Sequence, residues 1–348
     1  MSALSRRRVL FGGAAVGAGA LLTACTSNDP GTDAQGKTNS SGDANAAPGQ
    51  KVVIGFSAPA ADHGWIAAIT SNAKAQAAAY SDVELKSVEA GADAAAQRAA
   101  ISTLIAQKPT VIVMLPWDGK ELNAAGLEAM RAGIPVVNLD RAFPSAAAYR
   151  LQIKGDNYGM GLAAGAYIGD RLKAKGVSNP IIGEIPGIDS LELTQERTQG
   201  FNTALAAYGF KVSNRRPAEF TADSGQAAAA ALLQALPKMD ALWNHDDDQG
   251  IGVLAAIQQA GRSEFLMVGG AGSANAMRSI QADNTVLKAT VTYSPTMASS
   301  AIALARLVAQ NKGMSDLVEK EVPTSITLHS DTITKENVAT YLPLGFES

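Results

Sequence analysis

The chain has 348 residues, 47% of them hydrophobic and 18% charged, which is enough apolar side chain to bury a large core and excludes a disordered chain. At this length two folded lobes are expected rather than one. The formal charge of −3 argues against a nucleic-acid-binding role, which needs a basic face. Arg6, Arg7 and Arg8 are the only charges of residues 1–24, so a chain cut after that stretch is more negative still.

The chain begins with a positive segment, Ser5-Arg6-Arg7-Arg8-Val9-Leu10-Phe11, followed by a weakly apolar stretch to Leu22 and then Leu22-Thr23-Ala24-Cys25. Val9 to Leu22 is shorter than the ~20 apolar residues of a membrane span and is diluted by Gly12, Gly13, Gly17 and Gly19. Residues 1–24 therefore read as a signal peptide. The first motif resembles a twin-arginine export signal and the second resembles the lipobox of bacterial lipoproteins. That resemblance implies lipidation of Cys25, which would become the new N-terminus and hold the protein at the outer face of the cell membrane, stably if two or more acyl chains are attached. Cys25 is the sole cysteine, so no disulfide forms within the chain. Residues 26–50 carry no large apolar side chain and are rich in Gly, Asn, Ser and Asp, so residues 25–50 are expected to be a flexible tether, with the folded part starting near Lys51.

From Lys51 onward short β-branched runs alternate with longer Ala-rich stretches at helical spacing. The spacing predicts strands at Val52–Phe56, Val83–Val88, Val111–Leu115, Val136–Leu139, Ile181–Ile185, Val212–Arg215, Ala241–Trp243, Phe265–Val268 and Leu287–Val291. Helices are predicted between and after them at Trp65–Tyr80, Asp93–Gln107, Lys120–Arg131, Tyr158–Lys173, Leu191–Tyr208, Gly225–Leu236, Gly250–Ala260, Ala274–Gln281 and Pro295–Gln310. Such alternation indicates an α/β fold with parallel sheets covered on both faces. A closed eight-stranded barrel is the main competitor. The extended run Tyr149–Asn157, followed directly by a helix start, could cross from one lobe to another, so two doubly wound parallel-sheet lobes are expected.

Ligands of parallel sheets bind at the edge where the loops after the strands gather. Asp62-His63-Gly64-Trp65 follows the first predicted strand, Pro116-Trp117-Asp118 the third, Asp140-Arg141 the fourth, and His245-Asp246-Asp247-Asp248 a later one. A carboxylate accepts from hydroxyls and a guanidinium donates in a planar fork, so Asp140-Arg141 suits a hydroxylated ligand as well as it suits a surface ion pair or a helix cap. Asp246 to Asp248 also suit the N-terminus of the following helix.

Ile134-Pro135-Val136-Val137-Asn138-Leu139-Asp140-Arg141, Gly155-Asp156-Asn157-Tyr158-Gly159-Met160-Gly161 and Gln195-Glu196-Arg197-Thr198-Gln199-Gly200-Phe201, in that order and spacing, resemble the ribose-binding-protein type of periplasmic solute-binding protein, and the likeness runs from Lys51 to about Leu328. It implies the type I fold: two lobes joined by three crossovers, here near Lys154, Tyr293 and Ser325. The first lobe would comprise residues 51–154 and 294–325, the second residues 155–293 and 326–348. It implies capture of a small sugar or sugar alcohol for the permease of an ABC transporter, by a protein expected to be monomeric, with no catalysis, cofactor, metal or nucleic acid. A receptor presenting its ligand to a sensor protein, or a binder of a non-carbohydrate solute, are the alternatives.

Carried over by position, Asp140 and Arg141 match the pair that grips sugar hydroxyls. Trp65 and Phe220 match aromatics that stack on a sugar ring. Asp62 or His63 stands where the family often has an amide, Asp246 where it has a ligand-binding Asn, and Tyr293 where relatives often have Gln. Two departures stand out: Gln195, itself expected among the ligand-binding residues, in place of a binding Arg, and Ala271 in place of a binding Asp. Loss of two charged contacts disfavours ribose and leans towards a sugar alcohol, with Trp117 and Glu192 as lesser candidates for the vacated space and His245, the residue before Asp246 at the strand end, as a further lesser ligand candidate.

Other classes lack their signatures. No Gly-rich phosphate loop follows the first strand, three histidines supply little for a nucleophile or zinc site, and consecutive acids do not match the alternating ligands of a calcium loop. A sugar-responsive repressor would carry a basic helix-turn-helix where this chain has a leader and a tether.

Overall fold

The structure, a computed structural model, describes residues 45–88 and 90–348. The leader and Cys25 lie outside the described residues. The first sheet is built by β1 (Val52–Ser57), β2 (Val83–Ser87), β3 (Val111–Met114), β4 (Val136–Leu139) and β5 (Leu151–Gly155), with α1 (Gly64–Ala78), α2 (Ala94–Ala106) and α3 (Gly119–Arg131) between the first four strands. The chain then crosses into α4 (Asn157–Ala174), β6 (Ile182–Ile185), α5 (Glu192–Ala207), β7 (Asn214–Arg215), α6 (Ala222–Ala235), β8 (Ala241–Asn244), α7 (Asp247–Gln259), β9 (Leu266–Ala271), α8 (Ala274–Ala282) and β10 (Leu287–Thr292). It returns through α9 (Met297–Ala309) and β11 (Ser325–Leu328) and ends with β12 (Thr332–Thr334) and the single turn α10 (Val338–Tyr341).

Two six-stranded sheets result, in the orders β11-β5-β4-β3-β1-β2 and β12-β10-β9-β8-β6-β7. Apart from the terminal strands β11 and β12, each strand of the second sheet stands where the strand five earlier in the chain stands in the first. All pairings are parallel except β12 on β10. The barrel alternative is thereby excluded. Helices cover both faces, so β3, β4, β6 and β8 are buried along their whole length, which suits their mostly apolar composition; Asn138, Glu184 and Asn244 are the buried polar exceptions. The third crossover, expected at Ser325, lies after Leu328, because Ser325–Leu328 pairs with β5.

The tether expectation changes at its C-terminal end. Arg306, 2% exposed on α9, donates from Nη1 to Asn45 O at 2.7 Å and from Nη2 to Ala47 O at 2.9 Å. Its Nε reaches Asp82 Oδ1 at 2.8 Å, and Asp82 also accepts from Gly49 N–H and from the Gln310 amide. Residues 45–50 are thus held on the first lobe by a buried ion pair.

Glycines of the family-like motifs serve close helix packing. A Cβ on Gly161 of α4 would lie 2.1 Å from Arg197 O, and one on Gly200 of α5 would lie 2.1 Å from Tyr158 O. Only hydrogen at these two positions lets α4 and α5 approach, and that approach sets where Arg197 points.

Candidate ligand-binding cleft

The cleft forms where the C-terminal ends of both sheets face each other, as expected for parallel sheets. In the first lobe β4 runs into Asp140, whose φ of +64° lies in the left-handed region. Asn138, fully buried, fixes this bend: its Nδ2 donates to Arg141 O at 3.0 Å, and its Oδ1 accepts from Phe143 N–H and Gln152 Nε2, each at 3.1 Å. The strand end therefore delivers Asp140 and Arg141 side by side. The Arg141 Nη1 donates to Trp117 O, while its Nε is buried without a hydrogen-bond partner among the described residues. Such a donor at a cleft is a point where a ligand oxygen is favoured.

Tyr293, at the second crossover, donates its hydroxyl to Asp140 Oδ1. Its carbonyl accepts from Trp65 Nε1 at 2.8 Å, and the two rings lie 5.8 Å apart. Burial and the Asp140 charge push the Tyr293 hydroxyl well above its usual range, so it stays a donor. Phe220, packed with Leu191 and Leu193, forms an apolar wall in the second lobe, and its ring lies 6.2 Å from that of His63.

Arg197 is the residue the sequence reading missed. It is 4% exposed on α5, with Nε on Asn157 Oδ1 at 2.9 Å and Nη1 on His245 O at 3.3 Å. Its guanidinium lies 4.5 Å from the Tyr293 ring centre and 6.0 Å from that of Phe220. Gln195, proposed for the cleft, is exposed instead and donates to Asp189 O at 3.1 Å. The physical reason is helix phase: Leu193, Thr194, Arg197, Gly200, Phe201 and Ala204 form the inward stripe of α5, and Gln195 falls off it. A cationic side chain does line the cleft, two residues later in the chain.

His63, Trp65, Asp140, Arg141, Arg197, Phe220, Asp246, Ala271 and Tyr293 all line one cavity of ≈ 320 Å³ including its open mouth. Glu192 lies outside it, in a neighbouring polar compartment with Lys120, Lys154 and Glu196, where Lys154 and Glu196 meet at 3.1 Å. Asp62 stands at the rim, exposed, 2.5 Å from His63 Nδ1. Burial opposes the charge on both, but their attraction outweighs it, holding Asp62 below and His63 above the ordinary values. Trp117 and His245 do not line the cavity. Trp117 packs on the core of the first lobe. His245 is fully buried beneath the cleft, 3.0 Å from Glu184 Oε1 and against Trp243; burial pushes its pKa down to about 4.

The three consecutive acids part company. Asp246 lines the cavity and also caps α7, accepting from Gln249 N–H at 3.1 Å. Burial and the neighbouring Asp248 push its pKa up to about 6. Asp247 turns inward and accepts from Gly270 N–H, Ser273 N–H and the Thr290 hydroxyl. Asp248 reaches the other lobe, accepting from Gly64 N–H at 3.2 Å and Trp65 N–H at 3.0 Å. Among the described residues no cluster of three or more acids, histidines or cysteines is arranged to hold a metal ion.

The periplasmic binding protein domain matches residues 54–313. The chain belongs to that family. The ribose import binding protein of Bacillus subtilis is 30% identical to it over 208 residues, 60% of this chain and 65% of the relative, so the match spans less than two thirds of that relative's length. Among solved structures, the binding protein of the arabinose ABC transporter of Shewanella sp. ANA-3, bound to L-arabinofuranose, is 25% identical with a TM-score of 0.73, covering 84% of this chain and 94% of that one. An ABC transporter solute-binding protein from Mycobacterium smegmatis with bound glycerol is 26% identical with a TM-score of 0.75, covering 86% and 99%. These similar proteins are binding components of transporters, not enzymes, and membership of a periplasmic binding protein family implies an extracytoplasmic location.

Proposed function

We propose that this periplasmic binding protein is a lipid-anchored receptor that encloses a small sugar or sugar alcohol between its lobes and delivers it to the permease of an ABC importer. The observation that carries the reading is that both lobes contribute charged hydrogen-bonding groups and aromatic rings to one cavity: Asp140, Arg141 and Trp65 from the first, Arg197, Asp246 and Phe220 from the second. Each hydrogen bond to a charged group is worth roughly 1.5–3 kcal/mol, and an aromatic plate suits the C–H face of a sugar. Contacts from both sides bind the closed arrangement better than the open one, which is the condition for a ligand to drive closure.

Arg197 brings the site closer to a sugar site than Gln195 suggested. The lean towards a sugar alcohol now rests on Ala271, which offers no acceptor, and on Tyr293, whose ring fills part of the space. The arabinofuranose bound by the Shewanella relative supports the carbohydrate class. Lipid attachment at Cys25 is supported by the leader alone. A thermal-shift screen of the full chain against pentoses, hexoses and polyols tests the ligand class: at least one should raise the melting temperature in a concentration-dependent way, and no shift with any carbohydrate refutes it.

A further inference from the structure

Helix α1 belongs to the first lobe and starts at the cleft. Its N-cap residue, His63, makes no side-chain hydrogen bond to the helix, and its first turn contains no acid. The first N–H groups of a helix have no partner within it. By contrast α2, α3, α4, α7 and α8 are each capped by the Asp or Ser that precedes them. The cap of α1 is supplied from the other lobe, by Asp248 in the first turn of α7, which takes the N–H groups of Gly64 and Trp65 on its two carboxylate oxygens at 3.2 and 3.0 Å.

The end of the chain closes on the same point. A Cβ on Gly64 would lie 2.7 Å from Asp248 Oδ1, 2.7 Å from Glu347 O and 2.8 Å from the Ser348 Cα. Residues 346–348 are fastened to the second lobe: Phe346 O accepts from Ala274 N–H at 2.8 Å, Ser348 O accepts from Asn275 Nδ2 at 3.2 Å, and Glu347 pairs with Arg278. Asp248 does not line the cavity. Its contacts with α1 exist only while the lobes are together, whatever lies between them.

We propose that Asp248 is a closure latch: by capping α1 across the cleft it favours the closed arrangement without touching the ligand. The inference rests on two-lobe closure but not on the carbohydrate reading. Opening the cleft returns two helix N–H groups and a carboxylate to water, and closure restores a charged cap. Removing an N-cap shifts a folding equilibrium roughly 2- to 30-fold, and the same factor is expected here in the ratio of closed to open protein. Because a binding-competent state that is less populated lowers apparent affinity in proportion, Asp248 tunes affinity for every ligand alike.

The test uses the ligand-free full chain, so it stands or falls separately from the thermal-shift screen. In Asp248→Ala, hydrogen exchange at the Gly64 and Trp65 amides should quicken about tenfold, and the radius of gyration from small-angle scattering should rise. Asp248→Asn, which keeps an acceptor, should fall between. Gly64→Ala changes the opposite lobe; alanine favours the helix itself, so only the crowded contact with Asp248 and the chain end opposes it, and it should open the cleft in the same way. Protection of the Gly270 and Ser273 amides, held by Asp247, should be unchanged in all three. Unchanged exchange and radius in Asp248→Ala and Gly64→Ala overturns the latch. Loss of Ser273 protection alongside Gly64 in Asp248→Ala overturns it too, since the acid would then serve only to keep α7 folded.

Discussion

Replacing Arg197 separates the site seen in the structure from the one expected by position. Arg197→Met keeps most of the side-chain volume and removes the guanidinium. Two consequences follow from the geometry. The cleft loses a charged donor, at roughly 1.5–3 kcal/mol per hydrogen bond to ligand, or about 10- to 150-fold in affinity. The buried Asn157 Oδ1 and His245 O lose their donor as well, and an unpaired buried acceptor costs ~1–3 kcal/mol of stability. Calorimetric titration with the carbohydrate giving the largest thermal shift reads the first effect, and the melting temperature without ligand reads the second. Gln195→Ala, in the same helix but facing solvent, should change both by less than twofold and by less than about 0.5 kcal/mol respectively. Arg197→Lys should bind with intermediate affinity, since a lysine keeps the charge but not the planar fork. Near-normal affinity in Arg197→Met, or an equal loss in Gln195→Ala, refutes the assignment.

Among the groups that shape the pH dependence of stability, His245 and Asp246 act in opposite senses. His245 has a folded pKa of about 4, below its ordinary 6.5, so its stabilisation is full above pH 6.5 and is lost as pH falls through about 4, by up to about 3 kcal/mol. Asp246 has a folded pKa of about 6, above its ordinary 3.8, so its contribution is present below pH 3.8 and is lost as pH rises through about 6. Urea denaturation should therefore show His245→Gln gaining stability relative to the wild type as pH falls from 6.5 towards 4; parallel profiles would contradict the His245 assignment. Asp82→Ala strands the buried Arg306 charge and should cost about 3–5 kcal/mol in chemical denaturation while exposing residues 45–50 to proteolysis. A loss under 1 kcal/mol would mean that Arg306 finds other partners.

The parallel lobes were legible because buried strands of this fold are short, β-branched and continuous, and each precedes an amphipathic helix. What escaped notice were β11 and β12, whose residues are exposed or half-buried apart from Ile333. Edge strands of that kind carry no apolar run to mark them. Asp140 and Arg141 were legible because they sit directly at a strand end, where direction is fixed by the sheet. Arg197 was not, because in a helix direction depends on phase, and three polar residues in a row, Gln195, Glu196 and Arg197, give three directions. The signal was present: of the three, Arg197 alone continues the spacing of Leu193, Gly200 and Ala204. His245 illustrates the converse, since the residue before Asp246 is turned beneath the cleft and not into it, onto Glu184.

The repeated topology bears on ligand class. β4 and β9 hold equivalent places in the two sheets, and each runs into a non-glycine residue of positive φ, Asp140 at +64° and Ala271 at +92°. Both lobes thus bend the chain at the same point of the cleft, but only the first puts a carboxylate there. The second places its acceptor one strand over, at Asp246 after β8, and opposes it with Arg197. Two carboxylates and two guanidiniums then share one cavity. An anionic ligand would meet Asp140 and Asp246, and a cationic one would meet Arg141 and Arg197, each with unfavourable desolvation. A hydroxyl both donates and accepts, so a neutral molecule bearing several hydroxyls can satisfy acids and arginines at once. In the proposed reading Trp65 and Phe220 would add the apolar surface that its C–H groups require, and Ala271 would leave one edge of that molecule without a charged partner.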